Sequence, residues 1–599
     1  MQDAMSPGDQ EDMKRTAQFN VLMQMLLLCF ITTLYLTGTA SGGNDKTIAL
    51  VMKSLSNPFF SKMEEGARLF ALEQKISLEV FGVDRETDVG HQISIVENLI
   101  ARGYPAIVLA PADSKRLIPV CKKALDKGIV IINIDNPLHK PTLEQLGITI
   151  PFIGADNAEG GRKVGTYIKR KLNGKGRVLV IEGIRGAENS ELRKQGFVKA
   201  VKADSAIEVI SSESANWHTD EALSITTKLL NKYTDADAIF CANDAMALGA
   251  LQAIDLLGIS RKIILAGYDN IESVREEMRA GRIHATIEQH PEIIGELGVE
   301  AAIQKINGIA LSLHKNTPLD LVTYEHFDKK IVFSVSSLDN SFFAIMERGV
   351  REAADLFGLE LVVLDAQNQD TRQLTDIAGV LSTDLDLLIL NPASTDSIYP
   401  GIELANNNHI PVITVDRKTS AGEVLCHIES DNTDGGRMAA RFIAERLGDR
   451  GVVLELEGIP GTSAAHERGE GFNEELLKHD KINVEYREVA NFSREEAREV
   501  TLQFLEQKKR VDGVFAHNDN MILGLIDAFE TSGVALPKVL VGFDAIPDAR
   551  KSIKSGQLTA TIAQQPRTIG KLAVSTAARY FRGEDIASKI LFELSMVTK

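Results

Sequence analysis

Asn57-Pro58-Phe59-Phe60 and Asn340-Ser341-Phe342-Phe343 each set an amide beside two aromatic rings. Polar residues beside rings return in matched pairs further along: Phe240-Cys241-Ala242-Asn243-Asp244 with Phe515-Ala516-His517-Asn518-Asp519, and Gly267-Tyr268-Asp269 with Gly542-Phe543-Asp544. Ala285-Thr286-Ile287-Glu288-Gln289 pairs in the same way with Ala560-Thr561-Ile562-Ala563-Gln564. Asp, Asn, Arg and Gln gathered around Phe and Trp suit a free sugar. Its hydroxyls both donate and accept, so carboxylates, amides and guanidinium groups satisfy them, while its C–H faces lie flat on aromatic rings. Taken singly, the Phe pairs read as core at a helix start and an isolated Asp135 or Asp269 as a cap or turn residue; their joint recurrence argues for a site. No Ser/His/Asp or Cys/His constellation recurs, and the paired carboxylates are accounted for as hydroxyl ligands, so no enzyme, cofactor or metal is expected.

The pairing is a duplication. The offset between matching residues is 283 at 57 to 340, 281 at 135 to 416, and 275 from Asp156/Asp431 onward. Constant order with two small gaps marks two copies of a domain-sized unit, far longer than a solenoid repeat. Within each copy, short β-branched runs alternate with stretches of helical apolar spacing. In the second copy, strands are expected at Lys330–Val335, 359–364, 385–390, 411–415, 451–456, 483–489 and Gly513–Ala516. Helices are expected at 342–356, 371–381, 398–406, 469–477 and Arg494–Glu506, and the first copy repeats the order from Thr47. Near-continuous apolar strands separated by helices indicate parallel sheets covered on both faces. The expected fold class is α/β: tandem units, each of two doubly wound parallel-sheet lobes with a hinge. Ligands of such sheets bind beyond the carboxyl ends of the strands, where Asp416, Asn518 and Asp544 fall. The 365–369 segment resembles a calcium loop only faintly, lacking Gly at loop position six and Glu at twelve, and reads as a strand-end loop.

The chain has 599 residues, 44% hydrophobic and 25% charged, ordinary for globular protein. A formal net charge of −17 without a Lys/Arg run argues against nucleic acid. Residues 21–36 are almost wholly apolar, follow Lys14-Arg15 and give way to Thr37-Gly38-Thr39-Ala40-Ser41, the three parts of a secretory signal peptide. An uncleaved N-terminal anchor is the rival reading, and Met13 is a second candidate start. Cys29 lies in the apolar run behind Leu28, against a lipid-modified cysteine; Cys121, Cys241 and Cys426 are scattered and read as buried inert thiols.

The second copy resembles the ribose-binding members of the type I periplasmic sugar-binding proteins of ABC transporters. The resemblance rests on Thr414-Val415-Asp416-Arg417, Gly461-Thr462-Ser463-Ala464-Ala465 leading to Glu467-Arg468-Gly469-Glu470-Gly471-Phe472, Asn518-Asp519, Val541-Gly542-Phe543-Asp544 and the 560–564 string. It implies a ligand set of Asn340, Phe342, Phe343, Asp416, Arg417, Arg468, Phe492, Asn518, Asp544 and Gln564, holding a pyranose between Phe342/Phe343 and Phe492. His466, where the pattern has arginine, lies outside that set. The first copy resembles the same family and implies Asn57, Phe59, Phe60, Asp135, Arg193, Asn243, Asp269 and Gln289 as its ligand residues. Two positions differ: Asn136 stands in place of the arginine and Trp217 in place of Phe492. Loss of a guanidinium and gain of a wider ring imply a different sugar or polyol there.

The expected organisation is a leader and signal peptide (or anchor) at 1–44, one sugar-binding domain at 45–328 and a ribose-type domain at 329–599. Phe327-Asp328-Lys329-Lys330 runs from one copy into the other without a flexible linker. The resemblance implies a monomer in the periplasm or cell envelope, closing by hinge motion on monosaccharides and delivering them to the membrane permease of an ABC importer. An extracytoplasmic sugar-sensing module for chemotaxis or signalling is the alternative. A sugar-responsive repressor needs an N-terminal helix-turn-helix, where this chain has the apolar segment.

Overall fold

A computed structural model describes residues 47–599; the expected leader, signal segment and Cys29 lie outside the described residues. Four six-stranded sheets follow one plan. The chain divides into two compact units, the first comprising residues up to Gly154 together with Pro291–Asn316 and the second the remainder.

In the first unit the sheet runs His314–Thr317, Phe152–Ala155, Val130–Ile134, Ala106–Leu109, Thr47–Met52, Ser77–Gly82. The central strands are buried along almost their whole length, as expected of a parallel sheet with helices on both faces. The helix Pro58–Glu73 packs against Pro291–Ile306 so closely that a Cβ at Gly66 would meet the Glu292 carbonyl oxygen.

The second unit holds the other three sheets. One has the order Asp320–Thr323, Ala285–Glu288, Ile264–Ala266, Ala238–Cys241, Lys175–Glu182, Ala206–Ser214. The second copy contributes two. Its first lobe has the order Glu360–Asp365, Lys330–Val335, Leu387–Leu390, Val412–Val415, Cys426–Ser430, Lys589–Phe592. Its second lobe has the order Ile482–Val489, Gly451–Glu457, Gly513–Ala516, Val539–Asp544, Ala560–Ala563, Ser595–Thr598, with the last strand antiparallel. The chain passes between these lobes three times, after Ser430, Ala563 and Phe592, as a hinged pair requires.

The structure differs from the sequence expectations at particular elements. The helix expected from Gly469 begins at Ser463, because the Thr462 hydroxyl accepts from the Ala465 N–H and caps it. Cys426–Ser430 and the two closing strands were not expected. Cys426–Ser430 carries His427 and Glu429, and the closing strands are half exposed, so none shows a continuous apolar run. Cys121, Cys241 and Cys426 are buried free thiols, and burial pushes Cys121 up to about 12. No helix among the described residues is long and apolar enough to cross a membrane.

Within the second unit, the last lobe of the first copy and the first lobe of the second copy share one apolar core. Arg275, on the helix Glu272–Arg279, donates to the carbonyls of Leu356 (2.5 Å) and Asp355, at the C-terminus of Ser341–Phe357. A cation there satisfies carbonyls that no helical N–H reaches. Phe327 lies against Gly358, where a Cβ would meet its ring at 2.1 Å. Arg582 donates to the Leu321 carbonyl at 2.8 Å, and buried His326 bonds the Ala578 carbonyl at 3.1 Å.

Candidate functional site

In the second copy the ten residues come from seven segments and meet at one small cavity, joined there by Ala464. Asn340 caps Ser341–Phe357, its Oδ1 accepting from the Phe342 N–H at 3.0 Å, which fixes Phe342 and Phe343 in the first turn. Their rings meet edge to face at 5.3 Å. Asp416 leaves Val412–Val415 in the left-handed backbone region (φ 63°), and Arg417 follows. One Arg417 nitrogen donates to the carbonyls of Pro392 and Ala393, both at 3.1 Å, and the guanidinium lies over Phe343 at 5.3 Å. Its Nε has no hydrogen-bond partner within the protein.

The second lobe supplies the facing wall. Arg468 donates to Asn432 Oδ1 at 2.9 Å and to the His517 carbonyl at 2.5 Å, stacks over Phe543 at 3.9 Å and reaches to 3.8 Å from Asp544. Asn518 caps Asp519–Ser532 through Oδ1, and its Nδ2 donates to the Phe492 carbonyl at 3.2 Å, holding that residue at φ 58°. The Phe492 ring fills space that only Gly458 leaves: a Cβ there would lie 2.1 Å from it. Gln564 donates to Asp544 Oδ1 at 2.7 Å, and its own Oε1 has no partner.

Burial dominates the electrostatics. It raises Asp416 above the ordinary carboxylate range against the pull of Arg468 and Arg417, and lowers Arg417 to about 10. It raises Asp544 to about 7, and the enclosed Asp519 behind it is raised as well. Buried carboxylates and a buried guanidinium, with Arg417 Nε and Gln564 Oε1 unbonded within the protein, therefore lie between aromatic rings and can form charge-assisted hydrogen bonds to a polar ligand.

A periplasmic binding protein domain profile matches residues 48–310 and again 331–585. The chain belongs to this family. The ribose import binding protein RbsB of Haemophilus influenzae is 42% identical over 269 residues, 45% of this chain and 91% of that protein. The D-ribose/D-allose-binding protein of Pseudomonas aeruginosa is 37% identical over 318 residues, 52% of this chain and 99% of that protein. An ABC transporter periplasmic solute binding protein from Actinobacillus succinogenes, crystallised with bound D-allose, is 35% identical with a TM-score of 0.45, covering 47% of this chain and 98% of that one.

In this tandem periplasmic binding protein, the residues expected of the first copy fall into two sets, each on its own unit. In the first unit, Asn57 caps Pro58–Glu73 by accepting from the Phe59 N–H at 3.0 Å, and the rings of Phe59 and Phe60 meet at 5.1 Å. Asp135 has φ 63°, the same as Asp416. The Nδ2 of fully buried Asn136 donates to the Pro111 carbonyl at 2.9 Å. In the second unit, Arg193 donates to Asn157 (2.7 Å), the Ala242 carbonyl (2.8 Å) and Gln289 (3.1 Å), and stacks over Tyr268 at 3.8 Å. Gln289 donates to Asp269 at 2.6 Å, Asn243 donates to the Trp217 carbonyl at 3.4 Å, and Trp217 occupies the space left by Gly183.

Sequence reasoning missed two residues of the first set. Lys53, buried at the end of Thr47–Met52, pairs with Asp135 at 3.1 Å and Glu86 at 3.3 Å, and lies 5.6 Å from the Phe60 ring centre. It brings a cation to the carboxylate and ring that Arg417 serves in the second copy. The signal lay in comparing the copies: at the 283 offset, Lys53 and Glu86 fall opposite Ser336 and Gln369.

Proposed function

We propose that the chain captures monosaccharides outside the cytoplasm for an ABC-type importer, with a ribose-type pentose in the second copy and a different sugar or polyol in the first. The observation that carries this reading is the convergence of Asn340, Phe342, Phe343, Asp416, Arg417, Arg468, Phe492, Asn518, Asp544 and Gln564 on one small cavity. The named ligands of the relatives, ribose and allose, are of the matching class. The ten residues act by binding: charge-assisted bonds to hydroxyls, with a sugar face on Phe342, Phe343 and Phe492. The first copy has an ammonium point charge at Lys53 and an indole at Trp217 where the second has a guanidinium and a phenyl ring, and these differences support a different ligand. The partner is a membrane permease, the working form a monomer and the location the periplasm or cell envelope, with domains at 45–328 and 329–599.

Trp217 is the only tryptophan in the chain, so its fluorescence reports the first copy alone. Titration of the full chain with D-ribose is expected to release binding heat at one site without moving Trp217 emission, and a screen of hexoses and polyols to find a ligand that does move it. Absence of binding heat with D-ribose, D-allose and other pentoses would remove the reading for the second copy.

A further inference from the structure

The lobes of the second copy touch along one flank of the cavity through residues outside the ligand set. The Thr395 N–H donates to the Gly461 carbonyl at 3.3 Å, the Ser463 N–H to the Thr395 hydroxyl at 3.1 Å and the Lys418 N–H to the Ser463 hydroxyl at 2.9 Å. Beside them the Lys418 ammonium bonds Glu467 of the second lobe and lies 3.0 Å from buried Glu429 of the first. Glu429 stays paired with Lys589 and His427 as well, at 3.0 and 3.1 Å, so its charge does not depend on Lys418 alone. Glu467 immediately precedes Arg468 on the helix Ser463–Leu476, so the bond that joins the lobes also seats the helix turn that carries a cavity residue.

At the offsets that align the copies, Lys418 falls opposite Pro137 and Glu467 opposite Leu192. Both members of the ion pair are lost together, and Pro137 has no N–H with which to reproduce the Lys418 backbone bond.

We propose that Lys418 and Glu467 form a closing latch that the second copy has and the first copy lacks, so that the second copy holds its ligand longer than its contacts with the ligand alone would allow. The proposal rests on the reading of the second copy as a hinged sugar-binding unit. The latch forms only when the lobes meet, so its loss acts on release more than on capture. Neither residue lines the cavity, so it acts alike on every ligand that the cavity accepts.

The test uses the full chain with Glu467→Gln, Lys418→Met and both together. Each single substitution is expected to raise the Kd and koff for radiolabelled D-ribose about 3–10-fold, as for a partly buried, charge-assisted pair. The double variant is expected to be no worse than the weaker single, with the ribose-to-allose preference unchanged. Single effects that simply add, or a Kd and koff equal to wild type, would overturn the latch. A sugar-independent measurement separates it from the pentose reading: spin labels at Asn407→Cys and Asp480→Cys, one on each lobe, are expected to move apart in the double variant. No change in that separation sinks the latch. A change together with no D-ribose binding by wild type sinks the pentose and leaves the latch standing.

Discussion

At the residue scale the second copy's cavity is defined by groups that burial has made uncomfortable. Asp544 is raised to about 7, mainly by burial and in part by Asp416, with Arg468 and Gln564 opposing, and enclosed Asp519 is raised behind it. An ordinary aspartate titrates near ~3.9, so this group stabilises the empty fold below about pH 4 and loses that contribution as pH rises through 7. On the proposed reading, binding has the opposite sign: a sugar hydroxyl that donates to the ionised carboxylate favours the charged form, so binding is expected to expel a proton. D-ribose affinity is expected to rise between pH 5.5 and 8, and calorimetry at pH 6.5 in two buffers of different ionisation heat is expected to show net proton release. Zero release would show that Asp544 is already ionised in the empty site. The polar and aromatic residue types of the site were legible in the sequence because the duplication printed them twice. Lys53 and Glu86 were not, since neither has a counterpart of its own type in the other copy.

At the element scale, caps and close approaches aim the side chains. Asn340 and Asn518 each hold a helix start with the side-chain oxygen while the same residue lines the cavity, so cap and cavity residue are one group. The ring of Phe492 depends on Gly458 as that of Trp217 depends on Gly183. Gly458→Ala is expected to push Phe492 out of place and weaken D-ribose binding about tenfold or more, an overpacking cost of ~1–3 kcal/mol. Gly183→Ala is expected to spare D-ribose and shift Trp217 emission instead. Unchanged D-ribose affinity in Gly458→Ala would mean that the ring is not a wall of the site. Most long elements of the second copy were readable from apolar periodicity, including Lys330–Val335, Arg494–Glu506 and Gly513–Ala516 without change of boundary. The start of Ser463–Leu476 was missed because a cap, not periodicity, decides it.

At the scale of the whole molecule, the second unit joins the last lobe of the first copy to the first lobe of the second through a common core and Arg275. Arg550, the matching residue of the second copy, is exposed and bonds the carbonyl of Ala545 at 2.9 Å. Arg275→Ala is therefore expected to cost about 2 kcal/mol, the scale of lost hydrogen bonds to a charged donor, and Arg550→Ala to be near neutral. Calorimetric melting of the two variants checks this, and equal shifts would show that the junction carries no special stability. Arg275 acts on the same helix whose other end holds Phe342 and Phe343, so the junction braces one wall of the second copy's cavity.

By itself the sequence determined the duplication, the doubly wound lobes and the residue types of the sites. Those follow from local periodicity and from strings that survive in both copies. Tertiary structure alone decided which groups are desolvated, that Lys53 reaches Asp135 and Phe60, that the lobes of the second copy meet through Lys418 and Glu467, and that neighbouring lobes of the two copies share a core. Each of these depends on residues far apart in the chain reaching one another, and burial and contact at a distance leave no period in a sequence.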